Sequence, residues 1–247
     1  MSFNLALIPA RSESKGIRNK NVQQVGGFPL LAFSIRAARL AKGIDRIVVS
    51  TDSEDYGKIA KEFGAEVPFL RPKEISDDFS TDYECVKHAL DWFSSKEGEV
   101  PRYIIHLRPT TPLRDPELID KAIKEFELNE SATALRSVHM MSESAYKCFH
   151  VDGNYLQSVC TRSSELDPLN DARQSFEKTY QANGYADVLR TSFIREQKKL
   201  HGNRVMAFTT PAITEIDTQD DLEYLKYEVS KNQPLVHRLF EEDSAHG

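Results

Sequence analysis

Hydrophobic residues in the first two thirds of the chain alternate between short continuous runs and segments with helical spacing. The continuous runs predict buried strands at residues 5–10, 46–50, 67–70 and 103–107. The spaced segments predict helices that begin near Pro29, Ser53, Thr81 and Pro116. Strands and helices that alternate in this way are typical of right-handed βαβ units and a parallel sheet. We therefore expect an α/β fold, with ligands bound beyond the carboxyl ends of the strands.

The alternation stops between about residues 138 and 180, where two short apolar runs flank the turn Asp152-Gly153-Asn154. The two runs, 147–151 and 155–159, predict a β-hairpin. We interpret the segment as an insertion on the sheet, within a single domain that covers residues 1–247. The α/β pattern then returns, with strands predicted at 184–189, 205–209 and 212–216, a helix that contains Leu225, and a polar, frayed tail from Asn232.

The composition is that of an ordinary enzyme and argues against a nucleic-acid partner. Of the 247 residues, 40% are hydrophobic and 28% are charged, and the formal net charge is −6. A polyphosphate backbone needs a broad basic surface, whereas a nucleotide needs only a local basic pocket. The three cysteines lack metal-ligand spacing, and no apolar stretch approaches the roughly 18 residues of a membrane span. Since the start of the chain also lacks a signal-peptide pattern, we expect a cytoplasmic protein with no membrane partner.

A basic loop directly follows the first predicted strand. Between Arg11 and Asn21 it holds four cationic side chains, with Gly16 near its centre. Glycine lets the backbone turn tightly, so that amide groups and cationic heads converge on one anion, as a triphosphate requires. An arbitrary basic run is more often a solvated surface loop, but the position after the first strand favours phosphate binding. The loop does not match the Walker pattern, which disfavours a P-loop kinase.

Two carboxylates near the end of the chain form a candidate metal site. At the end of a strand, Glu215 and Asp217 would project to the same side and could share a hard cation such as Mg²⁺. Acidic pairs at strand ends are mostly solvated, so this pair alone is weak evidence for a metal.

Two further polar segments suit a sugar or an anion. In the segment 106–114, prolines stiffen a loop that carries Arg108 and Thr110, although a plain connection between strand and helix explains the loop equally well. The segment 173–184 combines guanidinium, amide and aromatic groups, the mixture that binds a polyhydroxylated carboxylic acid. Taken alone, this second segment is uninformative.

In combination, these segments resemble the acylneuraminate cytidylyltransferase family, the CMP-sialic acid synthetases and their relatives that act on legionaminic and pseudaminic acids. The resemblance runs from about residue 5 to residue 228, with all motifs in the family's order. The motifs are Leu7-Ile8-Pro9-Ala10-Arg11, Ser14-Lys15-Gly16, Lys20-Asn21, Val48-Val49-Ser50-Thr51-Asp52, Leu70-Arg71-Pro72 with Asp78, Pro109-Thr110-Thr111-Pro112-Leu113-Arg114, Arg173-Gln174, Asn183-Gly184 and Ile216-Asp217-Thr218. One such motif is weak evidence, whereas the ordered set is strong.

The resemblance implies a Rossmann-like fold, with a mostly parallel sheet flanked by helices and a small protruding segment that pairs two subunits into a homodimer. The insertion at about 138–180 is the natural dimerisation segment. The implied reaction transfers CMP from CTP to a sialic-acid-like nonulosonic acid, of the N-acetylneuraminic, legionaminic or pseudaminic type, and releases pyrophosphate. The implied cofactor is Mg²⁺.

The family's functional positions can be carried over residue by residue. The nucleotide would be held by Arg11, Ser14, Lys15, Lys20, Asn21, Arg71 and Asp82. The metal would be held by Asp217 and Glu215, and the sugar acid by Arg108, Thr110, Arg173, Gln174 and Asn183. A catalytic role is implied for Arg11, Lys15, Lys20 and Asp217, which offset charge on the phosphate oxygens while the anomeric hydroxyl attacks the α-phosphate in line. The general base stays open between Asp217 and a water on the metal.

The chain departs from the family's pattern at several positions. Arg108 stands where the sialic acid enzymes often have glutamine, and Asp82 stands where a small polar residue is common. Unlike an amide, a guanidinium accepts no hydrogen bond. After Asn183-Gly184, the run 185–189 departs from the usual Ala-Ile-Tyr-like run, and Glu215 replaces an aspartate, which should be tolerated. These departures favour a relative of the commonest sialic acid as the substrate.

Two other functions remain open. One is a related nucleotidyltransferase that uses KDO, or a sugar phosphate with another nucleoside triphosphate. The other is a non-catalytic module that binds nucleotides. A dinucleotide oxidoreductase is disfavoured because no G-x-G-x-x-G pattern follows the first strand.

Overall fold

A six-stranded sheet forms the centre of the computed structural model, which describes residues 3–13 and 16–240. In chain order the strands are β1 (Asn4–Pro9), β2 (Gln24–Val25), β3 (Phe28–Pro29), β4 (Arg46–Ser50), β5 (Tyr103–His106), β6 (Ala134–Met140), β7 (Phe149–Asp152), β8 (Tyr155–Ser158), β9 (Tyr180–Arg190) and β10 (Val205–Thr209). The helices are α1 (Leu30–Leu40), α2 (Glu54–Glu62), α3 (Asp82–Lys96), α4 (Pro116–Glu127), α5 (Thr191–Gln197), α6 (Gln219–Lys231) and α7 (Gln233–Phe240).

The central sheet has the order β10-β6-β9-β5-β1-β4 and is mostly parallel. β1 runs parallel to both β4 and β5, and β6 runs parallel to β10. β9 is the exception, because it pairs antiparallel with β5 and with β6. It follows the inserted segment without a crossover helix, and parallel neighbours need such a crossover. The expected α/β fold with a mostly parallel, helix-flanked sheet is therefore confirmed.

The helices begin where the sequence predicts, because their caps are legible in the chain. The Ser53 side chain accepts a hydrogen bond from the backbone N–H of Tyr56 at the start of α2. Thr81 and Glu84 form a reciprocal capping box at the start of α3. Asp115 caps α4, which has Pro116 in its first turn. These caps fix where each helix leaves the carboxyl edge of the sheet.

Side chains of β1 alternate between the two faces of the sheet. Ala6 and Ile8 pack in one core with α1, α2, α4, α6 and α7, and Leu5 and Leu7 pack in a second core with α3 and α5. Because both faces are covered, residues 5–8 of β1 are all apolar rather than alternating with polar residues.

Two of the predicted strands are wrong. Residues 67–70 form no strand, and the only ladder contact there is a single bridge between Glu66 and Val48. Pro68 removes a backbone donor within this short run. Residues 212–216 are also outside any strand. The Ile216 backbone N–H instead donates a hydrogen bond of 2.9 Å to the carbonyl of Thr110.

The prediction of a frayed tail from Asn232 is wrong as far as Phe240. Residues 233–240 form α7, in which Val236 and Leu239 are buried. The ring of Phe240 stacks on Phe28 with centroids 3.7 Å apart. The segment is polar on average, but packing of its apolar face against the core stabilises it as a helix.

The insertion rises from the paired ends of β6 and β9, beyond a register shift between Arg136 and Val138. It carries the predicted hairpin, since β7 and β8 pair antiparallel around Gly153. Several apolar side chains of the insertion are exposed, among them Val151 and Tyr155. The dimerisation role of residues 138–180 stays a prediction. Within residues 3–13 and 16–240, no helix combines the length and the hydrophobicity needed to cross a membrane.

Candidate functional site

A cleft of about 510 Å³ opens at the carboxyl ends of β1 and β5. The residues that line it include members of the basic loop, of the segment 106–114 and of the acidic segment at Asp217, but none of the segment 173–184. They are Pro9, Arg11, Gly16, Lys20, Asn21, Arg71, Asp78, Ser80, Thr81, Asp82, Cys85, Arg108, Pro109, Thr110 and Asp217. The cleft therefore lies where ligands bind in open α/β sheets.

The basic loop after β1 is anchored by contacts at both ends. The guanidinium of Arg11 donates to the carbonyl of Asp77, and its Nη2 lies 2.9 Å from a carboxylate oxygen of Asp78. Asn21 is buried, and its side-chain amide donates to the carbonyl of Arg11 at 2.9 Å. Ser14 and Lys15, which the sequence assigned to the nucleotide, lie outside the described residues.

Asp52 fixes the first turn of the loop, a contact that the sequence analysis did not anticipate. Its two carboxylate oxygens accept hydrogen bonds of 2.7 Å from the backbone N–H and the hydroxyl of Ser12. The run Val48-Val49-Ser50-Thr51-Asp52 was noted as a motif, but its pairing partner is 40 residues away in sequence.

The loop also touches the C-terminal acidic segment. Lys20 Nζ donates to the carbonyl of Ile216 at 2.8 Å and to the carboxylate of Asp217 at 3.2 Å. Gly16 lies so close that a Cβ atom there would stand 2.3 Å from the backbone oxygen of Asp217. Only glycine permits this approach, because the obstacle is backbone rather than a movable side chain.

Glu215 lies near Asp217, although only Asp217 lines the cleft. Partial desolvation and then the negative charge of Asp217 raise the pKa of Glu215 above its ordinary value. Two carboxylates that repel each other in this way provide hard oxygen donors for a divalent cation. Within the described residues, no group of three or more His, Cys, Asp or Glu side chains is placed to hold a metal ion. A cation at this pair would thus need further oxygen ligands from water or from a substrate.

Arg71 brings unused hydrogen-bond donors to the cleft. Its backbone N–H is tied to the carbonyl of Thr51 at 2.7 Å, and the residue is 6% exposed. Its Nε and Nη2 atoms are buried, and in the described part of the chain they have no hydrogen-bond partner. Buried donors without acceptors are costly, so this guanidinium is suited to a ligand that supplies acceptors.

Arg108 lies between two carboxylates. Its Nη2 donates to Asp82 at 2.5 Å, and its Nη1 lies 3.5 Å from Asp187. Burial alone would raise the pKa of the Asp82 carboxyl group, but His106 and Arg108 together hold this pKa below its ordinary value. Both Asp82 and Arg108 line the cleft, so the pair presents a carboxylate and a guanidinium that are already matched to each other.

Asp187 was not anticipated as a functional residue. It lies in the centre of β9, opposite His106 of β5 and Arg136 of β6, and it is 1% exposed. Its carboxylate lies 3.6 Å from His201 and 3.7 Å from Arg136. Burial raises the pKa of Asp187, but the opposing effect of His201, Arg108 and Arg136 is larger. The pKa of Asp187 therefore lies below its ordinary value. The only sequence signal was the departure of the run 185–189 from the family's pattern.

The other proposed sugar residues take different places. Thr110 lines the cleft. Asn183 is buried, and its amide is used inside the protein, by donating to Thr210 at 2.7 Å and accepting from the backbone of Tyr185. Arg173 and Gln174 line a separate cavity of about 400 Å³ in the insertion. A single chain therefore does not bring Asn183, Arg173 or Gln174 to the cleft.

Comparison with known proteins agrees with this geometry. Residues 5–227 match the family model described as Cytidylyltransferase. An N-acylneuraminate cytidylyltransferase from Escherichia coli is 31% identical over 89% of this chain, and the chain spans 50% of that relative's length. A pseudaminic acid cytidylyltransferase from Campylobacter jejuni is 30% identical over 90% of this chain and 94% of its own length.

A solved structure extends the comparison to the fold. A CMP:2-keto-3-deoxy-manno-octonic acid synthetase complexed with CTP superposes with a TM-score of 0.69 over 93% of this chain and 99% of that chain. The two sequences are 15% identical, so this likeness concerns the fold alone. With a family match over most of its length and the ordered motifs gathered at one cleft, the chain belongs to the cytidylyltransferase family.

Proposed function

We propose that this enzyme couples CMP from CTP to a nonulosonic acid and releases pyrophosphate. The named activities of the Escherichia coli and Campylobacter jejuni relatives support the substrate class. The buried, unpartnered guanidinium nitrogens of Arg71 in the cleft are the observation that carries the nucleotide half.

Arg71 matches the edge of a cytosine base. Cytosine presents two neighbouring acceptors, O2 and N3, to which a guanidinium can donate two hydrogen bonds. Uracil carries a proton on N3 and would set donor against donor. We therefore infer that Arg71 selects CTP over UTP.

The cationic loop is the proposed triphosphate site. Arg11, Lys20 and Asn21 line the cleft, and Ser14 and Lys15 belong to the same loop. The Arg11 guanidinium is paired with Asp78, and the Lys20 ammonium is paired with Asp217. Binding would exchange these carboxylates for phosphate oxygens, which accept stronger, charge-assisted hydrogen bonds.

The proposed reaction is a displacement at the α-phosphorus. The anomeric hydroxyl of the acceptor loses its proton and forms the new P–O bond, while the bond to the β-phosphate oxygen breaks and pyrophosphate leaves. Arg11 and Lys20 would offset the charge that grows on the phosphate oxygens, and Arg108 and Thr110, which line the same cleft, would orient the acceptor. Asp82, which the resemblance assigns to the nucleotide, also lines the cleft and accepts a hydrogen bond from Arg108.

Mg²⁺ is the proposed cofactor. Asp217 and Glu215 fit it because they are adjacent hard donors whose mutual repulsion a divalent cation would relieve. When bound, the ion would supply positive charge to the phosphate oxygens.

We further propose that the chain is one domain that forms a homodimer through the insertion at about 138–180. The exposed side chains of Val151 and Tyr155 there are 73% and 79% accessible, which is costly unless they are covered. Arg173 and Gln174 lie in this segment, so a second subunit could deliver them to the sugar. A cytoplasmic location also remains part of the proposal, consistent with three free cysteines.

Pyrophosphate release with Mg²⁺, each of the four nucleoside triphosphates and a panel of nonulosonic acids tests the proposal. We expect turnover with CTP only. Arg71→Ala should raise the KM for CTP at least tenfold, as loss of two hydrogen bonds from a charged donor implies. Arg204→Ala, on the exposed loop before β10, is the matched control. Absence of pyrophosphate with every acid and nucleotide would refute the function.

Light scattering after gel filtration tests the dimer. Val151→Glu should yield monomers, whereas Leu128→Glu, at an equally exposed apolar position outside the insertion, should not. A monomeric parent enzyme would contradict the proposed assembly.

A further inference from the structure

Three positions that depart from the family's pattern are joined through the side chain of one of them, Arg108. Arg108 and Asp82 are two of them, and they share a hydrogen bond of 2.5 Å. Counted from Asn183-Gly184, Asp187 stands at the tyrosine of the family's Ala-Ile-Tyr-like run. It lies 3.5 Å from the other end of the same guanidinium. The departures therefore form one ion network rather than independent surface changes.

The burial of Asp187 requires an explanation. The carboxylate is almost inaccessible, yet in the described residues neither of its oxygens accepts a hydrogen bond. Its nearest polar neighbours are the side chains of Arg108, Arg136 and His201, at 3.5 to 3.7 Å. An apolar side chain would be the less costly occupant of a strand covered on both faces. A buried charge at this place points to a role in orienting a neighbour.

The neighbour that reaches the cleft is Arg108. Its side chain extends over Gly184, where a Cβ atom would stand 3.4 Å from Nη1. With Nη1 directed to Asp187 and Nη2 bonded to Asp82, the planar guanidinium is held at both ends. Asp82, the outer partner, has a side chain that is 39% exposed and lines the cleft.

We propose that Asp187 is a positioning residue that holds Arg108, and through it the carboxylate of Asp82, as the acceptor-recognition element of the cleft. The inference rests on the proposed transfer to a nonulosonic acid and specifies the acceptor's chemistry. Because Arg108 is already neutralised by two carboxylates, it does not act as a free cation for the acceptor's carboxylate. The partly exposed carboxylate of Asp82 instead accepts a hydrogen bond from the acceptor, rather than from the nucleotide as the resemblance implies. The acceptor must therefore present an O–H or amide N–H donor at this point.

The positioning role is tested by steady-state kinetics with CTP, Mg²⁺ and the best acceptor among N-acetylneuraminic, legionaminic and pseudaminic acids. Asp187→Asn keeps the shape of the side chain and removes its charge. We expect the KM for the acceptor to rise about tenfold, as loss of one charge-assisted contact implies, with the KM for CTP within twofold of the parent. Arg108→Gln should raise the acceptor KM in the same way. The acceptor KM of the double variant should equal that of Arg108→Gln alone, because both changes disrupt the same interaction between Asp187 and Arg108.

Two further variants separate positioning from folding. Arg108→Lys keeps the charge but cannot bridge two carboxylates, so it should also raise the acceptor KM. If Asp187→Asn does not fold, this variant alone tests the positioning role, and an unchanged acceptor KM would contradict it. Asp120→Asn, which removes a carboxylate that accepts from the backbone of Lys42 and Gly43 far from the cleft, should lower the Tm and leave both KM values unchanged.

The outcomes are distinct from those of the proposed function. Equal rises in both KM values, or effects of Asp187→Asn and Arg108→Gln that simply add, would overturn the positioning role. Failure of the proposed function would appear earlier, as a parent enzyme that releases no pyrophosphate with any acceptor.

Discussion

The contact between Gly16 and the backbone of Asp217 gives a sharp prediction for Gly16→Ala. The added Cβ would stand 2.3 Å from the Asp217 oxygen, whereas ordinary contacts begin near 3.4 Å. The basic loop and the acidic segment must therefore separate by about 1 Å. Such a misplacement of catalytic groups costs on the order of 100-fold in rate. We expect kcat/KM for CTP to fall by about this factor.

Pyrophosphate release and a thermal melt, measured on the same preparation, test the reasoning. Gly16 is exposed, so the Tm should change little while the rate collapses. Gly57→Ala is the matched control, because its Cβ would meet Val67 at an ordinary 3.4 Å inside α2. That variant should keep full activity and gain up to about 1 kcal/mol in stability. A Gly16→Ala enzyme with kcat/KM within twofold of the parent would refute the argument from geometry.

Three further changes have calculable effects. Asp52→Asn removes one of the two acceptors that anchor Ser12 and should raise the KM for CTP roughly tenfold, measured by titration with pyrophosphate release; an unchanged KM would mean that the loop needs no such anchor. Burial lowers the pKa of His106 to about 4, so between pH 4 and 6.5 the folded state binds fewer protons than the unfolded state. The free energy of unfolding of the protein should thus fall by about 3 kcal/mol as the pH drops through this window. In urea titrations, the unfolding free energy of His106→Gln should depend less steeply on pH than that of the parent. Phe240→Ala should lower the unfolding free energy by about 2 kcal/mol in the same assay, and a loss below a few tenths would show that α7 does not stabilise the fold.

Local signals made most of the fold predictable from the sequence. The predicted helix starts at Ser53 and Thr81 lie within a residue of the first residues of α2 and α3, and the buried runs placed β1, β4 and β5. The direction of β9 was not legible, since it depends on the path of the chain through the insertion rather than on the strand's own residues. Helix α7 was missed because a polar average hid Val236 and Leu239 on one face.

The cleft was predictable in part for the same reason. Arg11, Lys20 and Asp217 could be assigned to one site from the ordered motifs, and the structure brings them to one cleft, although Asp217 follows a segment that forms no strand. The side chains that Asp52 and Asp187 contact could not be predicted from the sequence, because these contacts join distant parts of the chain. A charge inside a strand also gives no sign of which cations will surround it once the sheet forms.

Helix α7 has a consequence for variation across the family. It lies beyond the residues that match the family model, yet the ring of Phe240 at its end stacks on Phe28 and contacts Phe63 edge-on. Relatives whose chains end before such a helix would leave these two rings in water. Aromatic residues at positions 28 and 63 should accordingly appear together with the helix in evolution, and polar residues should replace them where it is lost.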